Sequence, residues 1–181
     1  KHDLEILKIK KRKDIAPYFK DIFKIINIAY EGLYGVVPIT DKQIKTYIEQ
    51  YFSFVNPDYI ALILDKNKKL VGFGVNMPSL SISVKKHGGK LFPFGFIDVL
   101  KEIKKNDTLD LYLVAVMPEY KNAGLPAAML SYCLDNAIKN GIKKAIASPQ
   151  LEDHHAVHSM WRFFETRPHR RRRCYIKQIN P

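Results

Sequence analysis

The sequence predicts an α/β domain of the α+β kind, a mixed central β-sheet with helices packed on both faces. Three observations carry the prediction. Apolar residues recur with a helical period over 15–30 and 40–52, whereas 59–64, 70–75 and 109–116 are short apolar runs bounded by turn residues. The elements follow in the order β-α-α-β-β-β-α-β-α-β without a repeat or a linker, as in a sheet covered by helices. The 181 residues, 46% of them hydrophobic, suffice to bury one core, so a single domain over 1–181 is expected.

Residues 4–9 read as a first strand followed by a basic loop. Asp14 is placed to cap a helix over 15–30, with Ile15, Tyr18, Phe19, Ile22, Ile25, Ile26 and Ala29 on its apolar face. Gly32 and Gly35 break it. Thr40 and Gln43 have capping-box spacing, ahead of a second helix with Ile44, Tyr47, Ile48, Tyr51 and Phe52 on one side. Residues 59–64 and 70–75 pair as a hairpin across Asp65-Lys66-Asn67-Lys68, and Pro78 ends it. The connection 79–106 is an insertion too long for a simple turn, and such loops tend to be functional or poorly ordered. It contains Gly88-Gly89, the apolar stretch Leu91-Phe92-Pro93-Phe94-Gly95-Phe96 and a short helix around 97–104. A strongly apolar strand, 109–116, stops before Pro118. The helix after Gly124 buries Met129, Leu130, Cys133, Ala137 and Ile138 and ends at Asn140-Gly141. A strand over 142–147, a helix over 155–165 and a last strand over 172–179 complete the chain.

Composition narrows the function classes. No apolar run approaches the ~20 residues that span a bilayer, and no charged-then-apolar signal opens the chain. A membrane is therefore not expected as a partner, and the cytoplasm is the expected location. Cys133 and Cys174 read as two reduced thiols rather than a disulfide or metal pair. The formal charge of +12 favours anionic partners, and coenzyme A, nucleic acid and acidic lipid all qualify. The chain opens Lys1-His2-Asp3 without an initiator methionine, as a piece of a longer protein or a trimmed chain would.

Residues 111–130 read Leu-Tyr-Leu-Val-Ala-Val-Met-Pro-Glu-Tyr-Lys-Asn-Ala-Gly-Leu-Pro-Ala-Ala-Met-Leu. An apolar strand, a short glycine-bearing loop and a helix are what pyrophosphate capture requires. Free N–H groups and the positive end of the helix dipole face the anion, and glycine lets the backbone come close. This arrangement resembles motif A of the GNAT N-acetyltransferase family, and the resemblance extends to element order over nearly the whole chain. It implies a fourth strand splayed from the fifth, with the acyl-pantetheine arm in the gap beside Val114 and Val116. It implies a pyrophosphate loop of Lys121, Asn122, Ala123, Gly124, Leu125 and Ala127.

Two departures from the family pattern stand out. The family loop reads Gln/Arg-x-x-Gly-x-Gly/Ala, and here it is Lys121-Asn122-Ala123-Gly124-Leu125-Pro126. Lysine keeps the positive charge, while Pro126 suits a first helical turn but removes one phosphate donor. Where family members often carry a tyrosine acid, this chain has Trp161, whose indole N–H is far too weakly acidic for that role.

Acetyl transfer to an amine needs a deprotonated amine, a placed thioester and a polarised carbonyl. Asp110 and Tyr112 alternate onto one face of the fourth strand and are candidate catalytic groups, with Glu31 after the first helix as a further candidate base. Ordinary surface roles are the plain alternative for each. His154 and His158 share a helical face, but no Glu stands beside the first His and no third ligand is suggested, so no metal is expected. Glu152-Asp153 before them reads as a helix cap. Six of the seven arginines lie between Arg162 and Arg173, with only Tyr175 nearby as an aromatic platform, so nucleic acid ranks below the other readings.

The leading expectation is transfer from an acyl-coenzyme A, acetyl-coenzyme A first, to a small-molecule or peptide amine. The alternative is a non-catalytic binding module of the same fold within a larger protein. The insertion either roofs the acceptor site or packs against a further domain, and an additional domain or a homodimer is the expected macromolecular partner.

Overall fold

The computed structural model describes residues 3–52, 55–152 and 155–178. The chain forms two compact units, residues 1–148 and 149–181, where the sequence shows no boundary. The first holds a five-stranded sheet in the order β1-β2-β3-β4-β5. Its strands are β1 (Glu5–Ile6), β2 (Ile60–Leu64), β3 (Leu70–Pro78), β4 (Thr108–Val116) and β5 (Lys144–Ala147). The first four pair antiparallel in sequence order, and β5 joins β4 in parallel. The mixed sheet predicted from the element order is thus the one formed.

All five residues of β2 are buried, because helices cover both faces of the sheet. On one face α1 (Phe19–Ala29) lays Ile22, Ile25 and Ile26 against Leu62, Leu64, Phe73 and Ala115. On the other, α5 (Leu125–Lys139) sets Leu125, Met129 and Cys133 against Ala61, Ile63 and Val71. Alternation along β2 explains the split, since neighbouring side chains leave a strand on opposite faces. A Cβ at Gly72 would meet Val116 Cγ2 at 3.4 Å and Met129 Cε at 3.7 Å, ordinary contact distances, so the space under α5 there is closed to anything much larger than a methyl group.

The first helix starts later than predicted. Asp14 does accept backbone N–H groups, from Lys11 at 2.9 Å and Lys10 at 3.1 Å, but the turn it closes is a 3₁₀ turn, Arg12–Asp14. A second 3₁₀ turn, Ala16–Tyr18, takes up Pro17, which cannot donate within a helix interior. The next helix, α2 (Asp41–Tyr51), has the predicted capping box: Gln43 N donates to Thr40 Oγ1 at 3.4 Å and Thr40 N to Gln43 Oε1 at 2.9 Å.

The long connection is ordered as two helices, α3 (Ser81–Lys86) and α4 (Gly95–Lys104). Only the second was predicted. Buried Glu102 on α4 accepts the α3 backbone N–H groups of Ser83 at 2.9 Å and Ile82 at 3.3 Å, capping α3 from 20 and 19 residues away.

In the second unit, α6 (His155–His158) runs into a 3₁₀ turn, Ser159–Phe163. The strand expected over 172–179 is absent over 172–178, and residue 179 lies outside the described residues. Arg170 to Arg173 offer no alternating apolar face to bury, so burial cannot hold a strand there. Arg171 and Arg173 instead each place a guanidinium nitrogen 3.7 Å from the Glu152 carboxylate. Asp153 of the expected cap and His154 of the His pair lie outside the described residues.

Candidate active site

The site is built on the place where β4 and β5 part. Their ladder runs from Thr108 opposite Lys144 to Leu111 opposite Ala147. Ser148 closes it, its backbone N and its Oγ donating to the Leu111 carbonyl at 3.2 and 2.8 Å. Beyond that point β4 continues to Val116 with no strand paired on the β5 side among the described residues. On the β3 side the register shifts between Val75, opposite Leu113, and Asn76, opposite Leu111, so Tyr112 is an extra residue. Such a bulge bends its strand and re-aims the side chains around it.

The ladder also fixes where the backbone of the free segment points. Met117 N donates to Val71 O at 2.8 Å, making 71 and 117 a hydrogen-bonded pair. Pairs alternate along an antiparallel ladder, so Ala115 and Leu113 turn their N–H and C=O toward β3. Val114 and Val116 turn theirs away, to the edge that β5 leaves open. The Val114 carbonyl accepts the Tyr30 hydroxyl at 3.0 Å, tying the end of α1 to this edge. Tyr30 is the residue that sequence reading missed, because at helical spacing from Ile26 it looks like one more core aromatic.

The loop that follows presents donors beside that edge. A 3₁₀ turn, Pro118–Tyr120, uses Lys121 N and Ala123 N internally, on Pro118 O at 3.2 Å and Tyr120 O at 3.0 Å. The N–H groups of Asn122, Gly124, Leu125 and Ala127 have no partner among the described residues. Pro126 contributes none. Gly124 has φ +72° and open space around its Cβ position, so glycine serves the left-handed turn into α5 rather than a tight contact. These donors crown the positive end of a helix that runs 15 residues.

Asp110 and Tyr112 lie within electrostatic reach of each other. Burial holds the Asp110 carboxyl above the usual carboxylate range, the nearby Glu102 charge adds to this, and a hydrogen bond with Ser79 opposes it. Burial likewise raises Tyr112, with Asp110 and Tyr51 reinforcing the shift. Tyr51 belongs to an aromatic run along α2, 6.2 Å from Tyr47, which stacks on Phe23 of α1. Glu31 is exposed on the turn after α1, next to Tyr30 but with no ion pair or hydrogen bond to Asp110 or Tyr112. The structure thus joins two of the three catalytic candidates and leaves the third apart.

Trp161 donates its indole N–H to Gln150 Oε1 at 3.0 Å, and His158 Nε2 lies 2.9 Å from the Leu151 carbonyl. Among the described residues no three His, Cys, Asp or Glu side chains stand close enough to hold a metal ion. A polar hollow of about 240 Å³, lined by residues such as Asp58, Asn106 and Asn140, sits at the N-terminal end of β4, away from the open edge.

Residues 19–165 match the acetyltransferase (GNAT) family. The chain belongs to that family. This GNAT chain is 26% identical over 174 residues to Protein YghO of Escherichia coli strain K12, covering 93% of itself and 44% of that protein. It therefore spans less than half the length of the curated relative it matches. In fold it is similar to the diaminobutyrate acetyltransferase of Paenibacillus lautus, solved with L-2,4-diaminobutyric acid and coenzyme A, with TM-score 0.55, 14% identity, and 89% and 74% of the two chains covered. It is also similar to the ribosomal-protein-S18-alanine N-acetyltransferase of Escherichia coli, with TM-score 0.53, 16% identity, and 87% and 74% covered. These likenesses establish the GNAT fold.

Proposed function

We propose that this GNAT domain binds an acyl-coenzyme A and transfers its acyl group to an amine. The observation that carries the reading is the β4 edge at Val114 and Val116, which pairs with no strand among the described residues and leads into four N–H groups without a partner among them at the loop and start of α5. An extended amide-bearing arm needs such an edge to pair with, and a pyrophosphate needs such donors. Lys121 adds a cation to the same loop. The structural relative solved with coenzyme A and an amino-acid substrate supports the same ligand class.

The co-substrate supplies an activated acyl group as a thioester. The protein's part is to hold it in reach, to lower the charge cost at its carbonyl and to take a proton from the amine. Val114 and Val116 offer backbone N–H groups at the open edge for the first two tasks. Asp110 is the proposed base, its carboxyl raised above the ordinary value by burial so that it accepts a proton more readily than an exposed carboxylate. The amine proton goes to Asp110 or to a water it holds as the amide forms, and the departing thiolate takes a proton from solvent. Tyr112 and Tyr51 would flank the incoming amine. Acetyl-coenzyme A is the first donor to test and a small or peptide-like amine the acceptor class.

A second reading, a GNAT fold that binds without transferring, is favoured by Pro126 and by the engagement of Trp161 with Gln150. Calorimetric titration with acetyl-coenzyme A, beside a Gly124→Glu variant, separates the cases. Micromolar binding abolished by the variant, followed by thiol release in an amine screen, is the expected result. Binding without release on any amine would favour the module, and no binding at millimolar ligand would defeat both readings of the loop.

A further inference from the structure

The α3–α4 segment presents its most apolar residues to solvent. Phe92 is 80% and Phe94 68% exposed on the turn between the helices, with Leu91 beside them. Phe92 leans on Phe96, ring centres 5.9 Å apart, so the aromatics stand as one cluster. Ile82, Val84 and Leu100 of the same segment are exposed as well, and an exposed apolar cluster of this kind marks a contact site.

The surroundings are cationic. Residues 79–106 contain six lysines against Asp98 and Glu102. Neither acid offsets them toward a partner. Glu102 is buried on the α3 backbone, and Asp98 is held by Lys86 Nζ at 2.6 Å and His87 Nε2 at 2.8 Å. Lys85, in the last turn of α3, and Lys90, on the turn itself, are exposed beside the tip, while Lys104 and Lys105 stand at the far end of α4.

The turn is also held by its own backbone. Phe96 N donates to Leu91 O at 2.8 Å, Ile97 N to Phe94 O at 3.1 Å and Lys90 N to His87 O at 3.0 Å. A Cβ at Gly95 would collide with the Lys90 carbonyl oxygen, so the turn folds onto the start of α4 and holds one shape.

We propose that this segment docks the domain on an anionic lipid bilayer, with Leu91, Phe92 and Phe94 entering the headgroup–acyl boundary and the lysines meeting the lipid charges. A projecting aromatic tip flanked by cations supplies the two signals that reversible surface binding needs, apolar insertion and electrostatic attraction. A protein partner would need a hollow matched to this tip, whereas a bilayer adapts to any convex shape. No helix among the described residues is long and apolar enough to cross a membrane, and docking of this kind requires none. The sequence-based expectation of no membrane partner, which rested on the lack of a spanning run, is revised only for surface contact.

The test is co-sedimentation of the chain with vesicles of phosphatidylcholine alone or with one-third phosphatidylglycerol. Binding to the anionic vesicles, little to the neutral ones, and weakening with added salt are expected. Phe92→Ser with Phe94→Ser should lower the partition roughly a hundredfold, and Lys85→Glu with Lys90→Glu at least about tenfold. All four positions are exposed, and circular dichroism verifies that both variants keep the fold. Absent binding, equal binding to neutral vesicles, or variants that partition like the parent would overturn the proposal. So would self-association in ultracentrifugation that the aromatic variant abolishes while vesicle binding stays nil, because the tip would then serve a second copy.

Discussion

Asp110 is half-withdrawn from water beside Ser79 and within reach of the Glu102 charge, and these neighbours set its chemistry. Its raised pKa means that folding disfavours the carboxylate. Its contribution to stability therefore falls as pH rises from the ordinary 3.8 through the raised value, and Asp110→Asn should melt at least as high as the parent at neutral pH. The same change should lower acyl transfer by about 10²–10⁴-fold, and the acid limb of the parent's pH–rate profile, rising above the ordinary carboxylate pKa, should vanish with it. Tyr112→Phe should leave that limb in place. At the loop, Pro126→Ala restores an N–H in the first turn of α5. It should tighten coenzyme A binding by roughly tenfold to a hundredfold, the worth of one charge-assisted donor at about 1.5–3 kcal/mol, read by calorimetry. Asp110 and Tyr112 were legible in the sequence because alternation puts them on one strand face. Tyr30 and Ser79 were not, since nothing local distinguishes a hydroxyl that meets a strand 84 residues on, or a serine beside a carboxylate 31 positions later.

At the scale of elements, helices with their own caps were readable and those capped from afar were not. Thr40 and Gln43 cap α2 within four residues, whereas α3 depends on Glu102 from the next helix. Glu102→Ala leaves two buried or half-buried α3 donors without an acceptor. It should cost about 1–3 kcal/mol and raise amide exchange in α3 and α4 before the rest of the sheet, as hydrogen-exchange mass spectrometry would show. Gly72 is the converse case, a small residue whose role lies entirely in a neighbour. Gly72→Val would push its branched side chain at Val116 and Met129, lifting α5 from β3 and costing about 1–3 kcal/mol in a denaturant melt. Because α5 carries the anion loop, the same variant should weaken coenzyme A binding although it touches no proposed ligand.

For the molecule as a whole, the formal charge of +12 belongs to no single site. It raises the local concentration of a polyanion such as coenzyme A, and salt should erode that gain. Affinity measured between low and physiological ionic strength should fall, while Gly124→Ala should shift the curve without changing its slope. The order of elements from β1 to β5 apart from α3, the covered sheet, the α2 cap and the strand–loop–helix of 111–130 were determined by sequence, because each rests on periodicity or on residues a few positions apart. The parting of β4 from β5, the bulge at Tyr112, the late start of α1 behind Pro17 and the ordered α3–α4 tip were decided by tertiary structure. Each depends on which distant strand or helix supplies the partner, and local propensity holds no record of a partner brought there by the folded chain.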